Sequence, residues 1–169
     1  MKIKANLSSK SIQNAIMQLE NYKKTLMDKN ELFVKRLAEL GIPVIDENIA
    51  SAQGDSNTRH ETYIKVNSYG GYSQATLICE GTDLLFIEFG SGVHYNGAVG
   101  TSPHPQGEEF GYTIGSYGKG QGKNDSWVYM SESGEWVRSY GTQATMPVYK
   151  ASIEIMQNIR KIAKEVFSS

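Results

Sequence analysis

The chain has 169 residues, with 17 basic and 18 acidic side chains and a single cysteine. This balance leaves no overall field to attract nucleic acid or a membrane surface, and one cysteine excludes an internal disulfide. The N-terminal residues lack the apolar core of a signal peptide, and no apolar run reaches the ~20 residues that span a bilayer. We therefore expect a single domain that folds in a cytoplasm and has no membrane partner.

A long amphipathic helix is predicted at residues 9–40. Ser8 or Ser9 can cap its start, and Gly41 with the nearby Pro43 predicts its end. Positions at alternating spacings of four and three form one stripe, which is polar at Lys23 and Asn30 and apolar elsewhere: Ile12, Ile16, Leu19, Leu26, Phe33, Leu37 and Leu40. The stripe makes Leu26 and Phe33 candidate interface residues.

The length of this helix leaves two alternatives. It would extend ~48 Å, whereas a globule of this size is only ~40 Å across. The helix either bends near Lys23–Asn30, with Asn30 capping a second segment, or extends beyond its own domain. In the second case a neighbouring subunit is needed to cover the exposed part of the stripe.

Residues 60–90 contain the first strands. Thr62–Asn67 and Gln74–Glu80 alternate polar and apolar residues around a short Gly-containing turn, which predicts a hairpin with Cys79 as a small buried group. Thr82–Phe89 fits either a short capped helix or a buried strand. The preceding polar segment, Asp46–Arg59, is predicted to be irregular.

Residues 91–125 form a glycine- and tyrosine-rich loop. Ten of the 17 glycines fall within 90–125, and a loop this long inside a compact domain indicates function or disorder. Its scattered aromatic residues favour a surface that orders on meeting a partner. Tyr112 and Tyr117 are therefore candidate interface residues.

The C-terminal part contains a second hairpin and a helix. Residues 126–138 form an aromatic hairpin, in which Trp127 and Trp136 either pair across the strands or anchor the sheet. Residues 145–167 show a helical apolar stripe, with Thr145 as the predicted N-cap. Together the elements predict an α+β fold, in which the N-terminal and C-terminal helices pack on one side of a mostly antiparallel β-sheet.

Patterns for catalysis and metal binding are weak. His94 and His104 lie ten residues apart on the loop, whereas zinc ligands usually come in closer pairs. Neither a nucleophile elbow nor a P-loop is present. Two acidic pairs are interpreted as solvated surface groups: Asp83 with Glu88, and Glu108 with Glu109. The sequence therefore predicts no catalytic residue, no metal and no cofactor.

Three segments carry a family resemblance: 86–92 (FIEFGSG), 126–136 (SWVYMSESGEW) and 139–151 (SYGTQATMPVYKA). The first looks like the EFG-T/S-G turn, and the third like the turn opening the last helix, of small phage proteins at the head–tail junction. These are called neck, head–tail joining or tail-completion proteins. The middle segment resembles the aromatic hairpin of many members. Segment 93–125 is longer and richer in glycine than the family pattern.

The resemblance implies a virion structural protein, without enzymatic activity, from a phage or a phage-derived particle. Such proteins fold in the host cytoplasm and form rings, usually six-fold, in the neck or as a tail-completion or terminator ring. The implied partners are copies of itself, other neck, connector or tail-tube proteins, and DNA passing through the lumen. Lys119 and Lys123 are candidates for non-specific contact with that DNA.

Two other function classes stay open. The first is a monomeric module that binds carbohydrate or another surface through the aromatic hairpin and the glycine-rich loop. The second is a hydrolase that uses Glu88 or Glu108 with His94. A binding module should stay monomeric, whereas a junction protein should be disrupted by charges placed on Leu26 or Phe33.

Overall fold

The computed structural model describes residues 2–52, 59–90, 102–111, 126–131, 133–139 and 141–168. These residues form four helices and two hairpins: α1 (Ser9–Glu39), α2 (Gly41–Ala50), β1 (His60–Tyr69), β2 (Tyr72–Gly81), α3 (Leu84–Phe89), β3 (Trp127–Met130), β4 (Trp136–Ser139) and α4 (Pro147–Phe167). The predicted α+β class is confirmed. The antiparallel strands form two separate two-stranded sheets, β1–β2 and β3–β4.

Helix α1 is one uninterrupted helix of 31 residues. It begins as predicted, because the Ser8 hydroxyl accepts the Ser11 backbone N–H at 3.3 Å. It runs through Asn30 without a second start, so the alternative in which Asn30 caps a second segment is wrong. The apolar residues of its N-terminal part are 40 to 55% exposed: Ile12, Ile16, Leu19 and Leu26. We call residues 9–26 the overhang, since none of the described elements covers their stripe.

Helix α2 follows α1 directly, which corrects the prediction of an irregular segment from Asp46 onward. Gly41 does not adopt the left-handed conformation expected at a helix end. It permits close packing instead, because a Cβ there would strike the Leu77 side chain and lie 3.4 Å from that of Ala151. Pro43 is tolerated because it falls in the first turn of α2, where amides have no helical partner.

The hairpin β1–β2 is confirmed and is longer than predicted at both ends. Its register pairs Tyr69 with Tyr72 across a two-residue turn of glycines. The face with Ile64 and Leu77 lies toward the helices, and Leu77 packs on the buried cluster under α2. At the turn end, the Ser68 hydroxyl donates to the Glu31 carboxylate of α1 at 2.7 Å.

Two apolar clusters form the core, and both include α4. The first joins α2, α3 and α4: Ile45, Ile49, Ile87 and Ala151. The second joins the C-terminal part of α1 to that of α4: Leu37, Ile162 and Val166, with Phe33, Leu40 and Ile155 at its edge. The apolar stripe predicted for the last helix therefore faces the core along most of its length.

Helices α1 and α4 run antiparallel. The Phe33 and Phe167 rings lie 5.8 Å apart, and the Arg36 guanidinium lies 3.7 Å from the Glu165 carboxylate. At the other end of the contact, Gly41 approaches Ala151. The overhang therefore continues past the C-terminal end of α4, away from the N-terminus of that helix.

The predicted hairpin β3–β4 is confirmed, and its second strand ends one residue later than predicted. Its register places Trp127 opposite Ser139 and Trp136 opposite Met130, so the two tryptophans are not cross-strand partners. Trp136 is 70% exposed and does not anchor a core. The prediction that the two tryptophans pair across the strands is therefore wrong. The alternative, that they anchor the sheet, is wrong for Trp136.

Candidate functional site

The N-terminus of α4 is capped by a carboxylate from α3. Glu88 is only 7% exposed. Its Oε2 accepts the Val148 backbone N–H at 2.8 Å and its Oε1 accepts that of Tyr149 at 2.9 Å. These amides have no partner inside the helix, and a negative charge there interacts favourably with the helix dipole. The interpretation of Glu88 as a solvated surface acid is therefore wrong.

Thr145 is not the N-cap that the sequence predicts. Its hydroxyl donates to the Asn48 carbonyl at 2.7 Å, and its amide donates to the Ile87 carbonyl at 2.9 Å. Met146 then adopts a left-handed conformation with φ of 55° immediately before α4 begins. Thr145 therefore holds this turn against α2 and α3. The side chain that caps α4 is that of Glu88, 60 positions before Val148 in the sequence.

His104 completes the arrangement around Glu88. Its Nδ1 accepts the Gln106 backbone N–H at 3.0 Å, so its Nε2 carries the proton and donates to Glu88 Oε1 at 3.0 Å. The imidazole packs between Phe89 and Tyr149, with ring centroids at 4.6 and 5.1 Å. We call Glu88, His104 and the Val148 and Tyr149 amides the cap cluster.

The cap cluster also fixes the segment 102–111 against the body. The Ser102 hydroxyl donates to the Phe89 carbonyl and accepts the His104 backbone N–H at 3.2 Å. Gly90 ends α3 with φ of 81° and ψ of 154°, a conformation open mainly to glycine. Gly90 thus ends α3, and the contacts of Ser102 and His104 hold the segment 102–111 against that helix.

A pocket of about 390 Å³ lies beside the cap cluster. Its walls are mostly apolar and come from α2, α3, the segment 102–111 and α4: Ile49, Leu84, Leu85, Phe89, Phe110 and Val148. Three of these side chains, Leu85, Phe110 and Val148, are more than half exposed and form the mouth. An open apolar mouth of this kind is suited to an apolar side chain from a partner.

Three exposed carboxylates lie next to mouth residues in the sequence. Asp83 directly precedes the lining residues of α3, and Glu108 and Glu109 directly precede Phe110; all three carboxylates are exposed. The one nearby cation on α4, Lys150, contacts the Asn48 side chain at 2.6 Å. The segments that supply the apolar mouth therefore carry more exposed acidic than basic side chains.

The overhang has the opposite charge. The overhang contains three lysines and one glutamate, and Lys2 and Lys4 precede it; the 143 residues after Leu26 contain 12 basic and 17 acidic side chains. The near-neutral total hides this separation into a basic N-terminal segment and an acidic body. Leu19, at the centre of the overhang stripe, is 55% exposed among these lysines.

The structure separates the candidate interface residues of the sequence. Leu26 is 40% exposed on the overhang, whereas Phe33 is half-buried in the second core cluster and contacts Phe167. The other candidates, Tyr112, Tyr117, Lys119 and Lys123, lie outside the described residues. His94, proposed for the hydrolase alternative, lies outside them as well.

Metal and thiol chemistry find little support in the described part of the chain. Within it, no group of three or more His, Cys, Asp or Glu side chains is placed to hold a metal ion. Burial raises the pKa of the Cys79 thiol above its usual value, as expected for a structural cysteine. None of the helices in these described segments has both the length and the apolar character required to cross a membrane.

The chain was compared with known proteins. It matches no protein-family model, no curated protein and no solved structure.

Proposed function

We propose that this chain is a non-enzymatic structural subunit that assembles with copies of itself into a ring at the head–tail junction of a tailed phage or a phage-derived particle. The overhang is the observation that carries the proposal. A helix of about 46 Å, with an apolar stripe exposed over half its length, leaves a surface that a subunit contact would cover. In the assembled particle the chain would be part of the virion.

The placement of the family-like segments supports the same proposal. Segments 86–92 and 139–151 are far apart in sequence, yet Ile87 and Glu88 of the first bond directly to Thr145, Val148 and Tyr149 of the second. Residues from two of the three segments that carry the resemblance thus form one structural junction. Such a junction is a reason for both motifs to occur together in a fold of this type.

The cap cluster also supports a structural role over the hydrolase alternative. Each carboxylate oxygen of Glu88 accepts a backbone amide, and Oε1 also accepts from His104. Both ring nitrogens of His104 are engaged. An acid–base pair for hydrolysis needs a polar atom directed at the substrate, whereas every polar atom of this pair is used to hold α3, α4 and the segment 102–111 together.

The proposal is tested in the source genome by deleting the coding sequence. We expect DNA-filled heads and separate tails by electron microscopy, with joined particles restored when the wild-type chain is supplied from a second copy. Normal tailed particles from the deletion strain would contradict the proposal. The mass of the purified chain by light scattering, over a concentration series, tests self-assembly separately.

A second candidate function is favoured by the exposed face of β3–β4. Trp136 and its cross-strand neighbour Met130 are both more than half exposed, and an exposed tryptophan on a β-hairpin suits stacking against a sugar ring. A carbohydrate-binding module would show a tryptophan fluorescence change with a glycan panel. Trp136→Ala would abolish that change, and the chain would remain monomeric.

A further inference from the structure

Among the described residues, two exposed apolar surfaces lie toward opposite ends of α4. The overhang extends about 27 Å past the C-terminal end of α4. The pocket mouth lies at the N-terminus of α4, about 31 Å away along a helix of 21 residues. Because α1 is one continuous helix antiparallel to α4, its own overhang points away from its own pocket. Neither surface can cover the other within one chain.

We infer that the overhang of one copy docks on the pocket mouth of a second copy, head to tail. This inference rests on the proposed self-assembly and names the two surfaces that carry it. An amphipathic helix binding through its apolar face is a common mode of recognition by an apolar groove. Leu85, Phe110 and Val148 supply the apolar mouth, and Ile16 and Leu19 lie on the stripe that enters it.

Charge selects this pairing over contact between two overhangs. The overhang carries three lysines and one glutamate, with Lys2 and Lys4 just before it, so two paired overhangs would bring like charges together, at a cost in affinity. The exposed Asp83, Glu108 and Glu109 precede mouth residues in the sequence, and the chain after Leu26 carries 17 acidic against 12 basic side chains. A basic helix that meets an acidic surface has a complementary electrostatic potential. This favours binding of the overhang at the pocket mouth over binding between two overhangs.

A head-to-tail contact has a consequence for assembly. Each subunit uses two different patches, so every bound copy presents a further free overhang or a further free pocket. The chain of contacts ends only when it closes into a ring, or else it continues as a filament. The inferred contact therefore supplies the kind of interface that a ring requires, whereas a contact between two overhangs would stop at a dimer.

Complementation between two variants tests the contact. Leu19→Glu places a charge on the overhang, and Leu85→Glu places one at the pocket mouth; both side chains are 55% exposed, so both variants should fold. The matched control is Asn21→Glu, which adds the same charge to the opposite face of the same exposed helical segment. Circular dichroism and melting temperature verify folding, and light scattering and native mass spectrometry give the mass.

We expect the wild-type chain and Asn21→Glu to form oligomers, and each of the other two variants alone to be monomeric. An equimolar mixture of Leu19→Glu and Leu85→Glu should give a dimer of twice the 18.7 kDa chain mass. This follows because the intact overhang of one variant meets the intact pocket of the other. The same mixture should not assemble further, since the remaining surfaces are both blocked.

Several outcomes would overturn the inference. If the wild type is monomeric at every concentration, or if the mixture stays monomeric, the head-to-tail contact does not exist. If Leu19→Glu prevents assembly and Leu85→Glu does not, the overhang docks elsewhere and the proposed ring survives. Failure of the proposed function is recognised separately, by joined particles from the deletion strain.

Discussion

The carboxylate of Glu88 accepts the backbone N–H of Tyr149 at 2.9 Å, across 61 residues of sequence. This contact ties the end of α3 to the start of α4. His104 binds the same oxygen and adds the segment 102–111 to the junction. One buried carboxylate thus fixes the relative position of three parts of the chain, which explains why an acidic residue occupies a site that is nine-tenths buried.

Replacing Glu88 should therefore destabilise the fold. In Glu88→Gln the side chain keeps one acceptor oxygen and gains an NH₂ group that faces backbone donors. At least one amide of the cap cluster loses its acceptor. We expect the free energy of unfolding to fall by about 2–3 kcal/mol, the range for buried hydrogen bonds to charged groups. Urea denaturation monitored by circular dichroism measures the change.

Glu108→Gln is the matched control for this variant, because Glu108 is exposed and undergoes the same chemical change. Its free energy of unfolding should stay within about 0.5 kcal/mol of the wild type. Equal effects of the two substitutions would show that the Glu88 contacts contribute no more than a surface charge does.

His104 and Glu88 should be energetically coupled. The double-mutant cycle uses His104→Ala, Glu88→Gln and the combined variant, each measured by urea denaturation. Since the two side chains lie 3.0 Å apart and share one contact, the combined loss should be smaller than the sum of the two single losses, by about 0.5–3 kcal/mol. Additive losses would mean that His104 stabilises the segment 102–111 without acting through Glu88.

Gly90 should be intolerant of a side chain. Its φ of 81° and ψ of 154° are strained for any other residue, at a cost of about 1–3 kcal/mol. Gly90→Ala should therefore lower the melting temperature clearly. Gly71→Ala is the control, since Gly71 has ordinary φ and open space around its Cα; its melting temperature should change little. A Gly90→Ala variant as stable as the wild type would contradict the prediction.

The elements of the fold could largely be predicted from the sequence because each has a local signal. The stripe of α1, the alternation of β1 and β2 and the glycine turn between them are all properties of neighbouring residues. The cap cluster has no such signal. Thr145 satisfies the usual rule for an N-cap, but tertiary contacts override it, because its hydroxyl donates to the Asn48 carbonyl and Glu88 accepts the amides of α4.

The sequence does not predict helix α2 or the orientation of the overhang, for a related reason. Gly41 and Pro43 are end signals when taken alone, yet close packing on Leu77 and Ala151 favours an immediate second helix. The buried pair of Glu88 and His104 had one available signal. Glu88 lies within the apolar run Leu84–Phe89, so it is expected to be buried whether this run forms a helix or a strand. A buried acid requires hydrogen-bond partners.

Cys79 should react slowly with thiol reagents. Burial raises the pKa of its thiol above the usual value of 9.0, so little thiolate exists at pH 8. Reaction with a maleimide or an aromatic disulfide should be slower in the folded chain than in urea. Equal rates in the two states would contradict this expectation.

The same pKa shift predicts a pH dependence of stability. Because the folded state holds the thiol proton more tightly than the unfolded state, the stabilisation is complete below pH 9 and is lost as the pH rises through the folded pKa. Between pH 8 and pH 10.5 the wild type should therefore lose more stability than Cys79→Ala. Parallel losses in urea titrations at the two pH values would rule out this contribution of Cys79.

A charge on the α1 stripe should act differently at its two ends. Phe33 belongs to the second core cluster and its ring lies 5.8 Å from that of Phe167. Phe33→Asp removes this packing and buries a charge, so the free energy of unfolding should fall by about 3–5 kcal/mol. Leu26→Asp changes a residue that is 40% exposed on the overhang, and its cost should be about 1 kcal/mol or less.

For self-assembly, the substitution at Leu26 should have a large effect although its effect on stability is small. The Leu26→Asp variant should fold but remain monomeric, whereas the wild type forms oligomers. The reason is that the stripe at residue 26 is exposed in the single chain and would be covered by a second copy. Melting temperature and light scattering on the same samples separate folding from association. If Leu26→Asp unfolds the chain as far as Phe33→Asp does, the stripe at residue 26 is part of the core, and the overhang does not provide an interface at that position.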